Sequence, residues 1–469
     1  MVVLSVAALL PAVGLGSLAL YAQAKAEPVV VAAPPVTVPV AQPRPLPTPL
    51  ISVRRSPAVL AADRRGDLVA DSMAPLANSI DDSSCLAVGL DDRPIITRNG
   101  DLAVIPASNL KIIVAAVAVD VLGPGATFTT TVVGPAPVGG VIDGDVFLVG
   151  GGDPVLSQQW YTEATTSRKR PPMHATDVGA LADALAAAGV TAITGDVLGD
   201  DSRYDAERYP PGWADDIRAS ADGTAVGALV VNDSLSSSGG QSKDPAGSAA
   251  ATFVSMLRDR GIQVGGSGIG TATAGLGVLA SVQSAPLTDI VNEMLATSDN
   301  LTAEMLVKEI GVAVAHSGTR VAGLQAILDR LTSWGVPTAG LAFTDGSGLS
   351  HDNRLTCTAL ASVLQRGSAT DAVGAGMARA GQAGSTLADA FVQEGLTGVL
   401  QGKTGTLHNP NEVKSLSGYF VAGPDEVSFV LILNGPSAVQ YTAAWQQLAD
   451  ALLATATGPS PELLAPRTS

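Results

Sequence analysis

Pro106-Ala107-Ser108-Asn109-Leu110-Lys111 runs directly into Ile112-Ile113-Val114-Ala115-Ala116-Val117-Ala118-Val119, and the rest of the chain is read outward from this stretch. A run this apolar predicts a buried helix, stopped near Leu122 by Gly123-Pro124-Gly125. Ser108 then falls in the first turn, with Lys111 three residues later on the same face. A serine hydroxyl becomes a good nucleophile when a neighbouring base takes its proton, and an unprotonated lysine can be that base. The helix start also offers free backbone N–H groups and a positive dipole end for a developing oxyanion. Of the seven lysines, only Lys111 has a serine three positions before it. One such pair arises readily by chance, so its surroundings must decide.

Upstream, Cys85 to Leu90, the turn Asp91-Asp92-Arg93-Pro94 and the run from Ile95 predict a β-hairpin. From about Thr127 the texture changes to short β-prone runs, with one helix over about 177–188 and another over about 249–260. Gly150-Gly151-Gly152 invites a phosphate-loop reading, but Asp153-Pro154 follows in place of Gly-Lys-Ser/Thr. Helices return at Leu287–Ala296, Leu301–Val314 and Val321–Trp334, and more are expected up to about Glu394. Three strand-like runs follow, from Gly398, Ser415 and Val427, and then a last helix over about 439–456. Hairpin, C-terminal strands and helices together predict an α/β fold, an antiparallel sheet flanked by helices, with a mainly β domain inserted at 127–285. The expected boundaries are 59–126 with 286–460 for the main domain and 461–469 for a tail.

Val2 to Leu20 carries no charged residue, and Ala22-Gln23-Ala24 gives a small-x-small cleavage pattern. Residues 1–26 are therefore expected to be a signal peptide or membrane anchor, although the usual basic start is missing. Prolines at 28, 34, 35, 39, 43, 45, 47 and 49 make 27–58 an extended linker. This order describes an extracytoplasmic protein, held at the membrane through the N-terminal segment if that segment stays uncleaved. The net charge of −16 argues against nucleic acid as a partner. The four histidines, His174, His316, His351 and His408, show no ligand spacing, so no metal or other cofactor is expected. Cys85 and Cys357 lie 272 positions apart, and sequence leaves open whether they pair.

Two further motifs stand with Ser108 and Lys111. Ser298-Asp299-Asn300 falls between two helices, where a hydroxyl and an amide can point into a cleft. Lys403-Thr404-Gly405-Thr406 falls in a strand expected at the sheet's edge, where glycine lets a ligand backbone come close. Alone, the first reads as a helix N-cap and the second as a strand end.

Together, Ser108-x-x-Lys111, Ser298-Asp299-Asn300 and Lys403-Thr404-Gly405 resemble the three signature motifs of penicillin-binding proteins and serine β-lactamases. The 190 positions between Ser108 and Ser298 resemble the low-molecular-mass class C penicillin-binding proteins, the D-Ala-D-Ala carboxypeptidase/endopeptidase family, which carry a domain inserted there. Gly150–Pro154, Gly195–Asp200, Asp345–Ser350 and Asn353-Arg354 are similar to that family too, and the resemblance spans roughly 80–456.

The resemblance implies an acyl-enzyme mechanism on peptidoglycan stem peptides, with β-lactams as acylating partners. Ser108 is the implied nucleophile, Lys111 the base (kept neutral by burial and by the cation Lys403) and Ser298 a proton relay. Asn300, Lys403, Thr404 and Thr406 would bind substrate, and the backbone N–H groups of Ser108 and Thr406 would form the oxyanion hole. Family members that recognise a free diaminopimelate end have arginine where this chain has His351, so that preference is in question. Trp160 and Glu163 are weaker candidates for the same pocket. The choice between carboxypeptidase and D,D-endopeptidase stays open. A β-lactamase or a non-catalytic muropeptide-binding sensor of the same fold is the alternative, though a pure binder has no need of a nucleophile.

Overall fold

The computed structural model describes residues 56–163, 172–392, 395–422 and 425–456. The apolar leader 1–26, most of the linker 27–58 and the tail 461–469 lie outside the described residues. Among those described, no helix is long and apolar enough to cross a membrane.

Helix α1 (Ser56–Ser79) leads into the antiparallel hairpin β1 (Cys85–Leu90) and β2 (Arg93–Arg98). A 3-10 turn over Ala107–Asn109 then opens helix α2 (Leu110–Leu122). The helix is buried nearly all round, as a sequence with no polar face requires. Gly123 ends it at φ 88°, and its N–H bonds to the Val119 carbonyl.

Between residues 129 and 283, β3 (Thr129–Gly134), β4 (Val146–Val149), β5 (Val197–Asp200), β6 (Ser267–Ile269) and β7 (Gly277–Gln283) form a five-stranded sheet. Its order is β6-β5-β4-β3-β7, parallel across the first three strands and antiparallel across the rest. Helices α3 (Gly179–Ala187) and α4 (Pro245–Asp259) share one apolar core with it, which includes Val132, Leu148, Val197, Leu181 and Phe253.

The chain then returns through α5 (Leu287–Thr297), α6 (Asn300–Ala315), α7 (Arg320–Ser333) and α8 (Cys357–Leu364). More helix was expected up to Glu394, but after α8 the chain runs through turns and one 3-10 turn at Gly374–Gly376. Packing against α5 requires this. A Cβ on Gly376 would lie 2.5 Å from the Asn292 Cα, so the segment follows α5 as close backbone and not as a side-chain-bearing helix.

Strands β8 (Ala378–Arg379), β9 (Leu400–Leu407), β10 (Val413–Ala422) and β11 (Asp425–Asn434), followed by α9 (Tyr441–Ala456), complete the chain. The main sheet has the order β8-β9-β10-β11-β1-β2 and is antiparallel throughout. Period-two alternation divides its side chains between two cores. Ala87, Val430 and Ile432 face α2, α5, α6, α7 and α8; Leu86, Val88, Phe429 and Leu431 face α1 and α9. The result is an α/β sandwich with α2 at the centre of its larger layer. Cys85 and Cys357 form a disulfide that ties β1 to α8.

Three ion pairs fasten the segment after β5 to the helices beneath it. Arg203 grips Glu309 with two bonds of 2.6 Å, Lys308 Nζ lies 2.5 Å from Asp205, and Arg320 Nε lies 2.6 Å from Glu207. Glu309 and Lys308 are almost fully buried, so removing either partner would strand a charge in the interior. These bonds fix α6, whose first residue is Asn300.

Candidate active site

The beginning of α2, the junction of α5 with α6, and β9 meet at one place. Ser108 sits in the 3-10 turn just ahead of α2, one step earlier than a simple helix start predicts, and Lys111 lies in the first turn of α2. Lys111 Nζ is 2.9 Å from Ser108 Oγ, 2.7 Å from Asn300 Oδ1 and 2.5 Å from the Ser347 carbonyl oxygen. An ammonium has three N–H donors, and these three acceptors use all of them. Once deprotonated, the amine keeps N–H bonds to Asn300 and Ser347 and turns its lone pair to the Ser108 hydroxyl. That arrangement suits proton abstraction.

Lys111 is completely buried, and its pKa falls from 10.5 to about 8. Burial is the main cause, because an ammonium loses more than a neutral amine does on leaving water. Asp345, Glu304, Asp299 and Asp222 act in the opposite direction. Burial, one of the two causes expected from the sequence, is the largest.

The junction that delivers Asn300 is built from Ser298 and Asp299. Ser298 ends α5 in the left-handed conformation at φ 65°. Asp299 caps α6 by accepting from the Thr302 N–H at 2.7 Å, so the ordinary N-cap role belongs to the middle residue of the motif. Asn300 is left to donate to the Asp222 carbonyl while accepting from Lys111. The half-buried Ser298 hydroxyl makes no hydrogen bond to Ser108 or Lys111 among the described residues.

On the other side, β9 runs past the start of α2. Asn109 Nδ2 donates to the Lys403 carbonyl and to Ser415 Oγ, and Ser415 Oγ donates to the Pro106 carbonyl. Lys403 is fully buried and donates to the Thr404 carbonyl. Thr404 is half-buried, while Thr406 is exposed and accepts from Lys414. β8 pairs with Gln401 and Gly402, and among the described residues no strand pairs with the outer edge of residues 403–407.

Glycine at 405 lets this strand approach. A Cβ there would sit 2.2 Å from Ser415 Oγ and 2.9 Å from both Ala107 Cβ and Ser108 N. Gly405→Ala is accordingly expected to push β9 off the nucleophile and slow acylation by a β-lactam about tenfold or more, since small misplacements of reacting groups are costly. Stopped-flow acylation measures this; an unchanged rate would mean that the strand need not lie so close.

The loop Asp345–Asn353 supplies what motif reading missed. Asp345 accepts from Gly348 N, Ser350 N, Asn353 Nδ2 and Trp213 Nε1, which shapes the loop so that the Ser347 carbonyl points at Lys111. Glu304, one helical turn after Asn300, accepts from the Gly346 and Ser347 N–H groups. His351 keeps its Nδ1 buried without a hydrogen-bond partner, and its carbonyl accepts from Arg354. Trp160 and Glu163 lie on a short helix where Trp160 donates to Gln158 and Glu163 accepts from Gln159; neither has a hydrogen bond to the cluster around Ser108. Among the described residues no group of histidine, cysteine and carboxylate side chains could hold a metal.

Residues 86–240 and 226–455 match the D-Ala-D-Ala carboxypeptidase 3 (S13) family. The chain belongs to that family. It is a serine-type D-Ala-D-Ala carboxypeptidase by family, and curated relatives agree. A D-alanyl-D-alanine carboxypeptidase from an Actinomadura species is 30% identical over 428 residues, 73% of this chain and 76% of the relative. A carboxypeptidase from Mycobacterium tuberculosis is 30% identical over 406 residues, 81% of this chain and 79% of the relative. The fold of this carboxypeptidase family is also seen in penicillin binding protein 4 from Haemophilus influenzae, at a TM-score of 0.64 and 19% identity, covering 81% of this chain and 97% of that one. A predatory peptidoglycan endopeptidase from Bdellovibrio bacteriovorus matches at a TM-score of 0.51 and 16% identity, covering 81% of this chain and 94% of that one.

Proposed function

We propose that this carboxypeptidase removes the terminal D-alanine of peptidoglycan stem peptides outside the cytoplasm, with Ser108 as nucleophile and Lys111 as general base. The observation that carries the reading is Lys111 Nζ, buried, 2.9 Å from Ser108 Oγ and held by two further acceptors. Ser108 Oγ attacks the carbonyl carbon of the penultimate D-alanine as its proton passes to Lys111 Nζ. The C–N bond then breaks as the leaving amine takes up a proton relayed through Ser298, and water hydrolyses the ester to free Ser108.

In the same reading the N–H groups of Ser108 and Thr406 hold the oxyanion; the approach of β9 to Ser108 N at Gly405 supports this. Asn300 binds the peptide amide, and Lys403, Thr404 and Thr406 bind the substrate carboxylate. β-Lactams enter as substrate mimics that acylate Ser108; a second structure of the Haemophilus influenzae protein is a complex with a β-lactam. Residues 127–285 are proposed as one inserted domain, a reading supported by their own sheet and core. Residues 1–26 are proposed as the export segment, either cleaved or retained as an anchor.

Mass spectrometry of defined stem peptides tests the activity. Monomeric pentapeptide muropeptides are expected to lose one D-alanine, and the splitting of cross-linked dimers would add endopeptidase activity. Unchanged masses for both substrates with wild-type protein would refute the proposal.

A further inference from the structure

Behind Lys111 lies a buried acid that the mechanism above does not use. Glu304 is 2% exposed and projects from α6 one turn after Asn300. Its Oε1 accepts from Ser347 N at 2.7 Å and Gly346 N at 3.0 Å, and its Oε2 from Gly346 N at 3.2 Å. The residue it grips by the amide, Ser347, is the one whose carbonyl accepts from Lys111 Nζ. One helix therefore holds Lys111 twice, directly through Asn300 Oδ1 and indirectly through Glu304 and the Ser347 backbone.

We propose that Glu304 is a positioning residue that clamps the Gly346-Ser347 backbone against Lys111 and adds its negative charge to that of Asp345 beside the Lys111 amine. The proposal rests on the reading of Lys111 as base to Ser108. Fixing both the Asn300 amide and the Ser347 carbonyl from one rigid helix leaves the Lys111 amine a single direction for its lone pair, that of Ser108. The negative charge of Glu304 meanwhile favours the ammonium and raises the Lys111 pKa. Burial moves the Glu304 carboxyl itself up to about 7, so it is largely ionised by the time the pH reaches about 8, where Lys111 loses its proton.

The other charges at this place are identified. Asp345 is fully buried with four donors on its carboxylate. Asp299 and Asp222 also favour the ammonium. Arg320, from α7, feels both Glu304 and Asp345 and is paired with Glu207. Lys403, on β9, donates to the Thr404 carbonyl. Glu304 alone among the acids both bonds to the Ser347 N–H and acts on the Lys111 charge.

The test is the pH profile of β-lactam acylation for the full chain, wild type beside Glu304→Gln and Glu304→Asp. Wild type is expected to rise with pH and level off above about 8, because only neutral Lys111 accepts the proton. In Glu304→Gln the amide oxygen can keep the Oε1 bonds while the charge is gone, so the rising limb should move about one unit lower. Near pH 7.5, where Glu304 is largely ionised in wild type, that variant would stand closer to its plateau rate than wild type does. In Glu304→Asp the charge stays but the carboxylate is one methylene short of both amides. The limb is then expected to stay in place while the plateau rate falls about tenfold.

A merely structural role for Glu304 lowers rates at every pH without moving the limb, and that result in Glu304→Gln overturns the proposal. Should Glu304→Gln fail to fold, a limb shifted in Glu304→Asp, or a plateau rate left unchanged there, overturns it instead. A wild-type profile with no limb near 8 would count against Lys111 as base, a separate failure from that of Glu304.

Discussion

Ser108→Ala is expected to abolish D-alanine release, lowering kcat roughly 10⁴-fold or more, while the protein folds as before. The hydroxyl is the one oxygen within reach of the buried amine that can form a bond to carbon; the other two acceptors are an amide oxygen and a backbone carbonyl. Removing it deletes a half-buried oxygen at the mouth of the site and leaves the packing of α2 untouched. Lys111 keeps Asn300 Oδ1 and the Ser347 carbonyl, so the variant should still bind stem peptides with near wild-type affinity. Equal release of D-alanine by wild type and variant would remove Ser108 from the mechanism.

Lys111→Ala is the second large effect. It should slow both acylation and turnover by about 10³-fold, within the range general-base catalysis contributes. Methionine at 111 separates charge chemistry from packing, because it fills the buried volume without an amine. A Lys111→Met variant that melts near wild type yet acylates about as slowly as Lys111→Ala assigns the loss to the missing base. Raising the pH should rescue neither variant, since the group that becomes a base near pH 8 is gone. Acylation of Lys111→Met at a tenth of the wild-type rate or faster would place the base elsewhere.

The parts of this site legible in the sequence are those whose chemistry is local. Ser108 and Lys111 are three residues apart on one turn, Ser298 to Asn300 form a helix junction, and Lys403 to Thr406 lie along one strand. Each announces its geometry within a few positions, and the structure brings the three together around Lys111, Asn300 and β9. The hairpin of β1 and β2, helix α2 and the last two strands were equally readable, because period-two and all-apolar patterns are strong signals.

What sequence could not give depends on distant partners. Glu304 reaches a backbone 43 positions away, and a buried acid inside Asn300-Leu301-Thr302-Ala303-Glu304 looks like any residue on a helix surface until its burial is known. The acceptor it positions is a main-chain carbonyl, which has no residue type to recognise. The Cys85–Cys357 pair became visible only once β1 and α8 were packed together. The stretch after α8 reads as helix because its many alanines favour one, whereas the close passage of Gly376 along α5 demands bare backbone.

Covalent chemistry at Ser108 is the centre of the account, and peptide mapping of the protein after incubation with penicillin tests it most directly. Mass spectrometry should find one penicilloyl group, carried by the peptide that contains Ser108, and no adduct on the Ser108→Ala variant. An adduct on Ser298, or on any peptide lacking Ser108, would contradict it.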